Sequence, residues 1–350
     1  YCAQSHFWIE IFIYYTIMIW DILMEGMCMK GVISNQENKL IYTEVKEIIL
    51  ADDEVLIDVH SSAVNRLDLL QRKNNNGYGE NAVLGVEVAG VIEDPNGHTH
   101  IKKGDRVMGL VNEGGYAEKA AMPANRVMKI PDNMTFKEAA AIPEVFLTAY
   151  QTIYWLGKLQ PKEKVLIHAG GSGVGTAAIQ LARQLSDAEI FVTAGTKEKL
   201  AVCEQLGADH LIQYKSQNFA EEVQRLTNNS GVDVILDFIG ASYWEKNLES
   251  IAIDGRWVLI GVLGGANVEE VNLMKLLQKR VQLLGTTLTP RSNDYKAKLT
   301  KEFIEQTYKL FEVGKLKPVI DKVFPIEEAN ASHDYMQSNQ NIGKIILQVK

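Results

Sequence analysis

Residues 164–176 read Lys-Val-Leu-Ile-His-Ala-Gly-Gly-Ser-Gly-Val-Gly-Thr. A short apolar run of strand type enters a glycine-rich turn, and a helical pattern leaves it through Thr176, Ala177, Ala178 and Ile179. Strand, turn and helix in that order build a phosphate site. The glycines let the backbone approach a pyrophosphate, and the helix start offers unpaired N–H groups and the positive end of its dipole. The pattern predicts a bound dinucleotide, and with it chemistry by hydride transfer.

The residues that follow address which dinucleotide. Units that take NAD carry an acid about 20 residues beyond the turn, where it accepts the ribose hydroxyls. Here the second strand, residues 189–194, ends in Gly195-Thr196 with no acid at its tip, and Lys197 and Lys199 follow. An acid would repel a 2′-phosphate, whereas the Thr196 hydroxyl and the Lys199 ammonium would hold one. The expected cofactor is therefore NADPH. The alternative is that both lysines are solvated residues of the next helix.

The positioning elements fall into two patterns. Residues 29–34, 54–61, 86–93, 106–110 and 116–122 are short, rich in Val and Ile, and broken by Gly, Pro, Asn or Asp, as strands are. Residues 65–72 read as one or two helical turns, with Leu67, Leu69 and Leu70 turned inward. Helical runs at 135–142 and 145–156 come next, and strands then alternate with helices as far as residue 286, which implies a parallel, doubly wound sheet. The final segments, ending in a strand at 343–349, are expected to rejoin the first unit, with the active site in the cleft between the two.

Composition narrows the partners. The 350 residues allow about two domains. With 44 acidic and 36 basic residues the net charge is −8, a poor match for nucleic acid or an anionic membrane. Cys2, Cys28 and Cys203 are too far apart in the chain for a disulfide framework or a cysteine-based zinc cluster, so a reducing cytoplasm is expected. Cys203 reads as a buried, inert thiol. Residues 1–28 are dense in aromatics, lack the basic start and cleavage site of a signal peptide, and are interrupted by Glu10 and Asp21. They are expected to take no part in the fold, with a peripheral anchor as the alternative.

Several motifs together resemble a known family. Asn65-Arg-Leu-Asp-Leu-Leu-Gln-Arg72, Leu84-Gly-Val-Glu-Val-Ala-Gly90, Gly104-Asp-Arg-Val107 and Ala139-Ala-Ala-Ile-Pro-Glu144, with the glycine turn, resemble the zinc-free quinone oxidoreductases of the medium-chain dehydrogenase/reductase superfamily. Leu147-Thr148-Ala149, residues 237–247, Gly255-Arg-Trp-Val-Leu259 and Asn341-Ile-Gly-Lys-Ile345 resemble the tumour-suppressor-inducible branch. The likeness runs from Met29 to the C-terminus. It implies an α/β fold, with a GroES-like β-rich catalytic domain at 29–149 and 287–350 and a Rossmann NADPH-binding domain at 150–286. It also implies a homodimer. Residue by residue, it implies Ser172, Gly173, Val174 and Gly175 at the pyrophosphate, and Gly195, Lys199 and Tyr214 around the 2′-phosphate. Thr148 would lie near the nicotinamide, and Asn341 and Lys344 near the cofactor. For Tyr214 the alternative is a half-buried aromatic at a strand end.

The expected reaction follows from what is missing. Zinc-dependent members of that superfamily need Cys and His or Glu ligands where this chain carries Asn65-Arg66-Leu67-Asp68 and Gly85-Val86-Glu87. His60 is nearby in sequence but reads as a strand-end histidine. Without a Lewis acid, hydride delivery to a quinone or similar conjugated carbonyl is easier than oxidation of an alcohol. Asn65 is the expected donor to the acceptor oxygen, or else it fixes the adjacent turn. Tyr78, in the loop Lys73-Asn-Asn-Asn-Gly-Tyr-Gly79, is the expected second contact, and that loop is either a lid or a plain surface loop. Asp68 and Glu87 read as buried structural acids, Glu87 pairing with Arg66 or Arg106. The alternative activities are reduction of an enone, alkenal or enoyl thioester on the same fold, or a non-enzymatic NADPH-binding role.

Overall fold

A computed structural model describes residues 28–74 and 82–350. The first half is built of strands. β1 (Cys28–Ser34) and β2 (Leu40–Lys46) form an antiparallel pair. β3 (Glu54–Val64) is flanked by β4 (Glu87–Asp94) and β6 (Lys119–Pro123), while β5 (Arg106–Leu110) and β7 (Met128–Lys129) extend the sheet beyond β4. β1 begins at Cys28, which pairs with Lys46, so the expected leader boundary shifts by one residue.

The second half alternates strands and helices. β8 (Lys164–Ile167), β9 (Glu189–Ala194), β10 (His210–Gln213), β11 (Val232–Asp237), β12 (Ile251–Leu259) and β13 (Gln282–Gly285) form a parallel sheet in the order β10-β9-β8-β11-β12-β13. Val165, Leu166 and Ile167 are fully buried, as strands covered on both faces must be. Chain direction across the sheet reverses between β8 and β11. That leaves a crevice at their C-terminal ends, where such sheets bind ligands.

The C-terminal segment closes the molecule. β14 (Ile320–Pro325) runs parallel to β15 (Lys344–Gln348), and β15 pairs antiparallel with β3, so the last strands join the first sheet. Immediately before β15, Gly343 bridges to Ser172, and its N–H donates to the Gly171 carbonyl at 2.9 Å. Gly343 has φ +80°, and a Cβ there would lie 2.3 Å from the Val319 carbonyl oxygen, so only glycine fits.

Two helical expectations change in detail. The helix Arg66–Asn74 buries Asp68, Leu69 and Gln71, and Leu70 is 56 % exposed. With 3.6 residues per turn, Leu67, Leu69 and Leu70 cannot all share the one face that packs inward. The run at 145–156 divides into an α-helix, Pro143–Tyr150, and a π-turn, Gln151–Leu156, with Pro143 fixing the helix start. Among the described residues no helix is long and apolar enough to cross a membrane.

Candidate active site

The glycine turn leads into the helix Gly173–Ser186. Ser172 caps that helix by accepting from the Gly175 N–H at 3.0 Å. A Cβ on Gly175 would lie 2.4 Å from the Ala169 carbonyl oxygen, so glycine lets the helix press onto the strand end. A Cβ on Gly171 would meet the Lys199 stem at 3.0 Å, and one on Gly173 would meet Lys344 Cδ at 3.0 Å. The bare turn thus lies directly against two lysine side chains. Val174 packs on the core behind the turn.

Beyond β9, Thr196 caps the next helix by accepting from the Lys199 N–H at 3.3 Å. Lys199 Nζ donates to the Asn339 carbonyl at 2.7 Å, and Arg66 donates to the Asn339 side chain. A Cβ on Gly195 would lie 2.8 Å from Tyr214 Oη and 3.4 Å from Lys215 Cε. Gly195, Thr196, Lys199 and Tyr214 therefore converge, and Arg66 and Lys215 join them. Burial, then the Arg66 charge, lowers the Lys199 pKa; Lys215 adds to the effect, and Asp321 opposes it. Mutual repulsion of that kind is relieved by a bound dianion.

At the other end of the turn, Glu87 is fully buried and its carboxylate organises three groups. Its Oε1 accepts from Lys344 Nζ at 2.7 Å and from Asn65 Nδ2 at 2.8 Å. Its Oε2 accepts from the Glu144 N–H at 2.8 Å. Lys344 Nζ also donates to Asn65 Oδ1 at 2.8 Å and to the Val64 carbonyl at 3.1 Å. The expected pairing of Glu87 with Arg66 or Arg106 is therefore wrong. Arg66 reaches Asn339, Arg106 reaches the Met134 carbonyl, and the partner of Glu87 arrives from β15, 257 residues away.

Asn65 is held on both sides of its amide. Its Nδ2 has a second, longer contact at 3.4 Å to the Ala63 carbonyl. Donation to an acceptor oxygen would have to displace that contact, so in this geometry Asn65 braces Lys344 and Glu87. Asn341, also buried, donates to the Gly343 carbonyl at 2.9 Å and shapes the segment crossing the cleft. Thr148 Oγ1 lies 3.4 Å from Glu144 Oε1. Tyr78 lies outside the described residues.

Two acids in this region have raised pKa values, and one of them, Glu144, was not singled out by the sequence. Burial pushes the Asp68 carboxyl up to about 7, although the Asn65 N–H at 2.7 Å and Tyr116 Oη at 2.8 Å both donate to it. Glu144 is also pushed up to about 7, by burial and then by the Glu87 charge. A local signal for Glu144 existed: it stands one turn before Thr148 on the same helix. A space of about 680 Å³ beside Arg66 is lined by Leu69, Leu70, Arg72 and Leu263, among others. Among the described residues no group of three or more His, Cys, Asp or Glu side chains could hold a metal ion.

A phosphate turn at the switch point of a parallel sheet, closed by a strand-rich unit, defines the class as a nicotinamide-type oxidoreductase. Residues 51–132 match the alcohol dehydrogenase GroES-like domain, and residues 173–305 match the zinc-binding dehydrogenase family. Human quinone oxidoreductase is 31% identical over 306 residues, covering 85% of this chain and 89% of its own length. The Escherichia coli quinone oxidoreductase complexed with NADPH superposes with a TM-score of 0.82 at 26% identity, over 92% of this chain and 99% of that one. The CurK enoyl reductase superposes at 0.79 with 29% identity, over 92% and 99%. The chain belongs to the medium-chain dehydrogenase/reductase superfamily, and its relatives there are quinone oxidoreductase-like.

Proposed function

We propose that this protein is an NADPH-dependent, zinc-independent reductase that delivers hydride to a quinone or similar conjugated carbonyl. The observation that carries the reading is the pocket beyond β9. It has no acid at the strand tip, and Lys199, Arg66 and Lys215 gather beside Gly195, Thr196 and Tyr214. A 2′-phosphate satisfies those cations, and a plain ribose leaves them repelling one another.

The turn Ser172, Gly173, Val174 and Gly175 would hold the diphosphate, with the backbone N–H groups of Gly173 and Val174 donating to it, since those of Ser172 and Gly175 already donate to the Ala169 carbonyl and Ser172 Oγ. Thr148 would border the nicotinamide, and Asn341 and Lys344 would lie near the cofactor. When bound, NADPH supplies a hydride from C4 of its nicotinamide. The Lys344–Glu87–Asn65 network fixes the floor of the site, and Leu69, Leu70 and Leu263 offer an apolar wall to a conjugated acceptor. The donor set does not suit zinc. Asn65 and Val86 stand where ligands would be needed; of the two carboxylates at those places, Glu87 is already bound by an ammonium and Asp68 accepts from Tyr116 and the Asn65 N–H. Charge delivered to a conjugated acceptor spreads over its π-system, so alignment is the main requirement.

The likeness to the CurK enoyl reductase favours a second acceptor class, conjugated enones or enoyl thioesters. Purified protein is to be assayed for NADPH oxidation with an ortho-quinone, a para-quinone and an alkenal. The expected result is turnover with at least one quinone. Turnover of the alkenal alone selects the second reading. Nucleotide binding with no turnover in any class selects a non-enzymatic role.

A further inference from the structure

We propose that Glu144 is the acid that returns a proton to the acceptor after hydride transfer, an inference that rests on the reductase reading above. Glu144 is the second residue of the helix Pro143–Tyr150, which Val145 seats against the phosphate turn: a Cβ on Gly173 would lie 2.9 Å from Val145 Cγ1. Glu87 anchors its backbone N–H at 2.8 Å, and its own carboxyl faces Thr148 Oγ1 at 3.4 Å. The carboxyl thus sits beside the Thr148 hydroxyl, one helical turn from it, on a residue whose backbone N–H is tied to the Glu87–Lys344–Asn65 network.

Other groups on the same side are unsuited to the task. Glu87 is engaged by Lys344 at 2.7 Å and by Asn65 at 2.8 Å, so it does not turn to an acceptor. Asp68 is fully buried and already accepts from Tyr116 and the Asn65 N–H, so it does not reach the cleft. His333 is buried and pushed down to about 3 by desolvation, so it holds no proton to give at neutral pH. Glu144 keeps part of its surface open and, among the described residues, has no cation at ion-pair distance.

The charged groups facing Glu144 come from four elements. Glu87 on β4 and Asp68 on the helix Arg66–Asn74 raise its pKa, while Lys344 on β15 and Lys296 on the helix Asn293–Glu312 lower it. Burial adds to the upward side, and the resulting value of about 7 leaves the group an acid through the lower neutral range. In the proposed step the acceptor gains a hydride with its two electrons and becomes an anion. The Glu144 O–H bond then breaks as the new bond to acceptor oxygen or carbon forms, and water reprotonates the carboxylate. A hydroquinone anion also takes its proton from water, so dependence on Glu144 is greatest for an alkenal, whose α-carbon needs a positioned donor.

Glu144→Gln keeps the size of the side chain and removes the proton. It is expected to lower alkenal reduction about 10²-fold or more, as loss of a general acid does. Quinone reduction should fall less, and the nucleotide dissociation constant read by fluorescence should be unchanged. In the wild-type protein kcat/KM should fall as pH rises through about 7, and in the variant that limb should vanish. Without any nucleotide, infrared titration should show the protonated carboxyls of Asp68 and Glu144 in the wild type near neutral pH, and the variant should lack the second of the two. A flat wild-type pH profile, or a Glu144→Gln protein that matches the wild type in rate and profile, overturns the proposal alone. A wild type that turns over no acceptor overturns the reductase reading as well.

Discussion

Lys344→Met is expected to cost about 3–5 kcal/mol of folding stability, the penalty for leaving a buried charge without its partner. The pair is enclosed: the side chains of Lys344 and Glu87 are 3% and 0% exposed, with Nζ 2.7 Å from Oε1. Removing the ammonium strips Glu87 of its charge partner and leaves Asn65 Oδ1 and the Val64 carbonyl without their donor. The loss also spreads, because β15 starts at Lys344 and the preceding residue ties the tail to Gly171. Urea denaturation measures the cost. Adding Glu87→Gln to the Lys344→Met protein should recover a substantial part of it, since the uncompensated charge is then gone. A single variant within 1 kcal/mol of the wild type, or a double variant that recovers nothing, contradicts this account of the site's floor.

Lys199→Ala is expected to raise the KM for NADPH while leaving that for NADH within about twofold, because only NADPH carries the charge that the ammonium meets. A hydrogen bond to a charged group contributes about 1.5–3 kcal/mol, which corresponds to a roughly 10- to 150-fold change. Raising the salt concentration should shrink the difference, since the pocket opens to solvent and its charges are screened. Steady-state kinetics with both nucleotides and one saturating acceptor reads the effect. Equal changes for the two cofactors would remove Lys199 from the 2′-phosphate pocket.

The parallel sheet was legible because its signals are local. The strand–turn–helix order at 164–176, the missing acid after Ala194 and the alternation that follows are all read within short windows. The place of Lys199 beside the glycine turn was legible for the same reason, since it follows the tip of the second strand directly. The floor of the site was not legible. Glu87 meets Lys344 across 257 residues of sequence, so its apolar neighbours Val86 and Val88 announced burial but not the partner. Arg66 turns toward Asn339, and Lys215 joins Lys199 through the fold of the strand after β9, so neither was visible locally. Glu144 stood in a motif that was recognised, yet its role depends on three carboxyl groups from separate elements converging on one lysine.

The most direct test is fragment binding. Adenosine 2′,5′-bisphosphate and adenosine 5′-monophosphate differ only by the 2′-phosphate, and each can be titrated calorimetrically into the wild-type protein. The account predicts that the bisphosphate binds about tenfold tighter or better, as one charge-assisted contact provides, and that Lys199→Ala abolishes the preference. Equal affinity of the two fragments for the wild-type protein would contradict it.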